Sequence, residues 1–230
     1  MGYFLSDLFD IIYRVVKNLR GIKIMEKYWS RFQDTYDDKQ EYVVGKEILT
    51  STKEELNFLP DIGEVVELGC GTGYFSEVIA QKAIQLVATD LSDELLESAK
   101  ARLKTHPNIS IQKENCLDTS FPSEKFDSVF MANLIHVIEN PQKVLEESRR
   151  ILKCGGVLII VTYTNYGMKL FETIKLGLRF LRGWGKPPQH VHTFSPGKLA
   201  LLIEKAGFQV EKSKLIGDRT KALYLIGKKK

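Results

Sequence analysis

The chain has 230 residues, of which 43% are hydrophobic and 27% charged, a mixture that excludes wholesale disorder and suffices to bury one large core. Its net charge of +4 is too mild to predict nucleic-acid binding by itself. Three scattered cysteines, Cys70, Cys116 and Cys154, form no C-x-x-C pair; they exclude a disulfide framework or zinc cluster and fit a reducing, cytoplasmic compartment.

From the N terminus to about residue 59 the pattern is helical. Phe4, Leu8, Ile11, Val15, Leu19 and Ile22 recur at helical spacing. Acids precede bases along this stretch, as the helix dipole favours. Asp7, Asp10, Arg14 and Lys17 interrupt it, so it reads neither as a span nor as a secretory signal. Shorter helical pieces are expected around Tyr28–Phe32 and Tyr42–Thr52.

From about Gly63 to Thr162, apolar strands alternate with helices. Strands are expected at Glu64–Leu68, Gln85–Thr89, Ile109–Gln112, Phe126–Met131 and Val157–Val161. Helices are expected at Tyr74–Lys82, at Asp93–Lys104 behind the cap Ser92, and at Pro141–Leu152, with Gly155-Gly156 as its stop. This order argues for a parallel sheet with helices on both faces. A helical insertion follows over Gly167–Arg182, then a helix over Ser195–Ala206. The strands Gln209–Ile216 and Ala222–Gly227 close the chain as a hairpin around Gly217-Asp218. The fold class is therefore α/β and Rossmann-like: seven strands, mostly parallel, with a C-terminal antiparallel hairpin and an N-terminal helical cap. One domain is expected, with the cap over 1–59, the core over 60–230 and a lid insertion at about 164–192.

The most informative stretch is Glu67-Leu68-Gly69-Cys70-Gly71-Thr72-Gly73. A buried strand runs into three alternating glycines and then a helix, which lets the chain turn sharply and lets a ligand approach the backbone. A dinucleotide fingerprint needs glycine at position 74, where Tyr74 stands, and the Gly-Lys-Ser/Thr of a P-loop is absent. Glu67, just before the glycines, disfavours a pyrophosphate and favours a cationic ligand.

With these features the chain resembles the class I S-adenosylmethionine-dependent methyltransferases, and within them the small-molecule and quinone-biosynthesis-like enzymes. The glycine stretch is similar to that family's first motif. Thr89-Asp90-Leu91-Ser92 resembles its second, Asn115-Cys116-Leu117-Asp118 its adenine-flanking stretch, Phe126 to His136 its fourth strand and active-site end, and Leu152 to Leu158 the approach to its fifth strand. Tyr28 to Asp37 resembles the segment that covers the cofactor. The resemblance implies S-adenosyl-L-methionine as cofactor and S-adenosyl-L-homocysteine as product. It implies that Gly69, Cys70, Gly71 and Gly73 shape the loop and that Asp90 binds the ribose, with Leu91 beside it. Asn115, Cys116 and Leu117 border the adenine, Asn133 lies under the donor end, and Tyr36 with Tyr28 closes over the methionine end. Glu67 either holds loop amides or lies near the cofactor's amino group. Asn133-Leu134-Ile135-His136 replaces the Asn/Asp-Pro-Pro-Tyr of methylases that act on base amines or glutamine amides, which counts against those substrates.

His136 follows the fourth strand and titrates near neutrality, so it is a candidate general base, the alternative being a packing role. The pair His190 and His192 lacks nearby acids and does not argue for a metal site. Residues 168–186 carry five bases, Lys169, Lys175, Arg179, Arg182 and Lys186, against Glu172, interleaved with apolar residues. This basic amphipathic helix either closes an acceptor pocket or lies peripherally on an anionic membrane. A small-molecule or lipid acceptor is expected as partner; nucleic acid is disfavoured for want of a stacking platform. A non-catalytic cofactor-binding or membrane module, or an NAD-dependent oxidoreductase, stays open as the alternative.

Overall fold

The computed structural model describes residues 27–188 and 191–230. The helix expected over residues 4–22, and His190, lie outside them. A helical turn at residues 27–30 and a 3-10 turn at Gln33–Thr35 lead into α1 (Tyr36–Val44) and α2 (Lys46–Asn57). The continuous helix expected over Tyr42–Thr52 is broken at Gly45, whose φ of 92° takes the backbone out of the helical region.

Seven strands follow: β1 (Glu64–Leu68), β2 (Gln85–Asp90), β3 (Ile109–Lys113), β4 (Phe126–Ala132), β5 (Leu152–Thr164), β6 (Phe208–Ile216) and β7 (Lys221–Lys229). They form one sheet in the order β3-β2-β1-β4-β5-β7-β6. The first five are parallel, and β7 runs antiparallel between β5 and β6. The helices between them are α3 (Ser76–Ala80), α4 (Asp93–Leu103), α5 (Pro141–Ile151), α6 (Leu170–Trp184) and α7 (Pro196–Lys205). Capping follows the residue chemistry: the side chains of Ser92, Asn140 and Ser195 each accept the N–H three residues on.

Strand alternation sorts the core into two faces. On β5, Ile159 and Val161 join the cluster under α1, α2 and α3, while Leu158 and Ile160 join the one under α5 and α7. Gly155-Gly156 does not stop α5 as expected. The helix ends at Ile151 and Leu152 is already extended. The glycines instead absorb a register shift between Phe126↔Leu152 and Ser128↔Val157, and a Cβ at Gly156 would meet the carbonyl of Asp127 at 3.0 Å.

The strand order reverses between β1 and β4. Loops at the carboxyl ends of these two strands diverge to opposite sides and leave a crevice, the place where open α/β sheets put their ligands.

Candidate active site

A cleft opens at that reversal. Its floor is Gly69 and Gly71 after β1, Asp90 at the end of β2 with Leu91 just beyond it, and Asn133 after β4. Glu114, Cys116 and Leu117 form one wall, and Trp29 and Tyr36 from the cap form another. Glu139 and Lys143, before and in α5, complete the rim.

The glycine loop holds its shape through left-handed backbone at Gly69, Gly71 and Gly73, with φ of 73°, 56° and 78°. The N–H of Gly71 donates to Asp90 Oδ2 at 2.9 Å, and that of Cys70 to the carbonyl of Thr89 at 2.8 Å. The N–H of Ser92 donates to Asp90 Oδ1 at 3.0 Å. One carboxylate thus ties the loop after β1 to the turn after β2. A Cβ on Gly71 would meet nothing within 4 Å, so this backbone faces open space, whereas one on Gly69 would strike Leu134 and one on Gly73 would strike Leu103.

Asn133 is one of two non-glycine residues with positive φ among those described, a conformation asparagine tolerates better than most. Its N–H donates to Val161 O at 2.8 Å, and its Oδ1 accepts the N–H of Tyr163 at 3.2 Å. These bonds clip the end of β4 to β5 and hold the strained residue in the cleft.

The cap is fastened to the loop by charge. Asp37 on α1 pairs with Arg102 on α4 and accepts from Thr72 Oγ1 at 2.7 Å. Arg102 Nη1 also donates to Thr72 O at 3.1 Å. Tyr36 is half-buried beside this clasp. Its phenol is held well above the usual range, first by burial and then by the Asp90 and Asp37 carboxylates. Trp184 at the end of α6 packs on Trp29, Phe32 and Tyr36, with ring centroids 5.3, 4.9 and 5.1 Å apart.

Several expected site residues lie behind the cleft instead of lining it. Tyr28 points its hydroxyl to Trp184 O at 3.2 Å, and the neighbouring Trp29 takes the lining position. Glu67 is 1% exposed, and it accepts from Ser76 Oγ at 2.5 Å because alternation along β1 turns it toward α3. Burial pushes its carboxyl up to about 7. Cys70 is a buried loop filler whose thiol burial raises further, and Gly73 packs on α4. Burial also pushes the Cys116 thiol up to about 12, ahead of Asp90, so both sulfurs stay protonated and unreactive at neutral pH. Asn115 does line the cleft, while its Oδ1 accepts the N–H of Leu117 at 3.1 Å. His136 stands off the cleft with Nδ1 2.9 Å from Thr162 Oγ1. Burial, then the nearby His192, lowers its imidazole to about 4, so it is neutral at pH 7. Trp29, Glu114, Glu139 and Lys143 escaped sequence reading. Trp29 lay within the cofactor-covering stretch without being singled out, and Glu114 was signalled only by its place beside Asn115.

Residues 66–160 match the methyltransferase domain family. A demethylmenaquinone methyltransferase of Tropheryma whipplei is 29% identical over 118 residues, 51% of this chain and 49% of that protein. One of Bacteroides fragilis is 28% identical over 164 residues, 63% of this chain and 67% of that protein. The chain thus spans about half the length of the first of these relatives. The fold matches an S-adenosylmethionine-dependent methyltransferase of Thermotoga maritima with a TM-score of 0.67 at 23% identity, over 89% of this chain and 99% of that one. By its matched domain and its fold the chain is similar to the S-adenosylmethionine-dependent methyltransferases. The lining suits that family's cofactor: three carboxylates, Asp90, Glu114 and Glu139, face one lysine around the cleft, a balance that favours a cationic ligand.

Proposed function

We propose that the protein transfers a methyl group from S-adenosylmethionine to a small, lipophilic acceptor by in-line displacement. The bound cofactor supplies a methyl already activated on a sulfonium. In this reading Asp90, held by Gly71 and Ser92, accepts the ribose hydroxyls. Leu91, Asn115, Cys116 and Leu117 border the adenine. Gly69 and Gly71 let the ligand lie against bare backbone, and Tyr36 with Trp29 covers the methionine end. Asn133 shapes the floor at the donor end.

Glu67, Cys70, Gly73 and Tyr28 act one layer out, by fixing the loop and the cap. His136 positions the β4 end through Thr162 and does not take a proton, because its imidazole is already a weak base. The chain's work is alignment and exclusion of water. The described part of the cap, residues 27–59, and the insertion over residues 164–188 form the acceptor's walls. The demethylmenaquinone methyltransferases among the relatives support an apolar ring system as acceptor, as does the aromatic cluster beside the cleft. Free cysteines suit a cytoplasmic setting.

The observation that carries the reading is Asp90 bridging a glycine loop whose open face is Gly71. Calorimetry with S-adenosylhomocysteine and with NAD tests it. Binding of the first alone is the expected result, and tight NAD binding alone overturns it. Transfer of labelled methyl into an extract then separates an enzyme from a pure binder, which transfers nothing.

A further inference from the structure

α6 is apolar on two sides. Its inner side sets Leu176, Phe180 and Trp184 against the cap cluster. Its outer side shows Leu170, Phe171, Ile174, Leu178 and Leu181, each more than half exposed. At about 100° per residue these five fall within a sector of about 100°. Lys175 and Arg182 follow on one flank of that sector, and Arg179 comes next. The helix's acid, Glu172, lies on the half-buried side. An apolar stripe edged by bases is a surface that water solvates poorly.

We propose that the outer face of α6 docks the protein in the plane of an anionic lipid bilayer. The 15-residue helix is about 22 Å long, too short to cross a hydrocarbon core of about 30 Å but suited to lying in the interface. The stripe enters the acyl boundary, and Lys175 and Arg182 meet the lipid phosphates. Charge selects this occupant, because a second copy of the same face brings bases against bases.

The far end of α6 explains what docking accomplishes. The carbonyl of Gly183 accepts from Lys39 at 2.7 Å, and that of Trp184 accepts from Arg31 at 3.0 Å and Tyr28 at 3.2 Å. These donors satisfy the helix's last acceptors and fix Trp184 on Trp29 and Tyr36 at the cleft. A membrane-seated α6 therefore sets the cleft's cap at the lipid surface, where a lipophilic acceptor concentrates. That last step rests on the methyl-transfer reading; the docking does not.

The test is sedimentation of the full chain with vesicles of phosphatidylcholine alone or mixed with phosphatidylglycerol, at low and high salt. The expected result is binding to the anionic vesicles only, weakened by salt. The double variant Lys175→Gln/Arg182→Gln should bind about thirtyfold more weakly. Ile174→Ser/Leu178→Ser should also lose binding, with S-adenosylhomocysteine affinity and circular dichroism unchanged in both. Absence of vesicle binding overturns the proposal. So do double variants that bind as the wild type does, which would move the contact elsewhere in the chain. A dimer in sedimentation equilibrium that Ile174→Ser/Leu178→Ser dissociates also overturns it, since a second copy would then cover the stripe.

Discussion

The N–H of Gly71 sits 2.9 Å from Asp90 Oδ2, so the loop after β1 and the end of β2 share one carboxylate. If Asp90 also accepts two ribose hydroxyls, removing it costs two charged hydrogen bonds. Asp90→Ala should weaken S-adenosylhomocysteine binding by about a hundredfold or more in calorimetry. Asp90→Glu, which keeps the charge but lengthens the arm, should recover part of the loss. An unchanged affinity in a folded Asp90→Ala protein would remove the ribose assignment.

The glycines of one loop separate binding from folding. All three are left-handed, so alanine strains the backbone by about 1 kcal/mol at each. At Gly71 the added methyl meets only open space on the cleft side, whereas at Gly73 it meets Leu103 Cδ1 at 2.9 Å. Gly71→Ala should melt near the wild type yet bind S-adenosylhomocysteine far more weakly. Gly73→Ala should show the reverse order, with the larger loss in thermal stability. Thermal scans and calorimetry on the same two proteins decide it.

Glu67 should make stability depend on pH. Burial raises its carboxyl from 4.5 to about 7 in the folded state. The folded protein therefore holds a proton that the unfolded chain releases. The stability tied to that proton is complete below about pH 4.5 and is lost as pH rises through about 7. Glu67→Gln, neutral throughout and still able to accept from Ser76, should remove this slope. Urea unfolding at pH 5 and pH 8 should show the variant's relative gain at pH 8, of order 3 kcal/mol.

Much of this site was legible because turn chemistry and strand alternation are local. Three glycines behind Glu64–Leu68 pointed to a sharp turn, which the structure builds from left-handed backbone, and Asp90 followed from its place after the next strand. Ser92, Pro141 and Ser195 marked helix starts that the structure keeps. What escaped depends on contacts distant in sequence. Tyr28 and Trp29 are neighbours, and only the packing of Trp184, 155 positions beyond Trp29, decides which ring faces the cleft. The Asp37–Arg102 clasp has no motif, since each residue alone reads as a solvated helix charge. Gly155-Gly156 was misread because a helix stop and a strand bulge call for the same residue.

That clasp predicts a separable cap. Asp37 holds Arg102 and Thr72, and Trp184 holds Trp29, Phe32 and Tyr36. Trp184 is buried, so Trp184→Ala should destabilise the cap by about 3–5 kcal/mol, while the sheet, whose other face packs on a separate cluster under α5 and α7, stays folded. Hydrogen exchange should then speed up over α1 and α6 and remain slow in β1, β4 and β5. Arg102→Ala should give a milder version of the same pattern.

His136 supplies a prediction against the simplest mechanism for a residue at this position. Its imidazole is lowered to about 4 by burial and by His192, with Nδ1 against Thr162. It is therefore neutral across pH 5 to 8 and changes charge only in more acidic solution. A methyl-transfer rate followed from pH 5 to 8 should show no His136 limb near 6.5. His136→Asn, which preserves a polar partner for Thr162, should lower kcat modestly and leave the shape of the pH profile intact. If His136 were the proton acceptor, the wild type would lose activity below its imidazole's titration, and the variant's profile would lose that limb together with most of kcat.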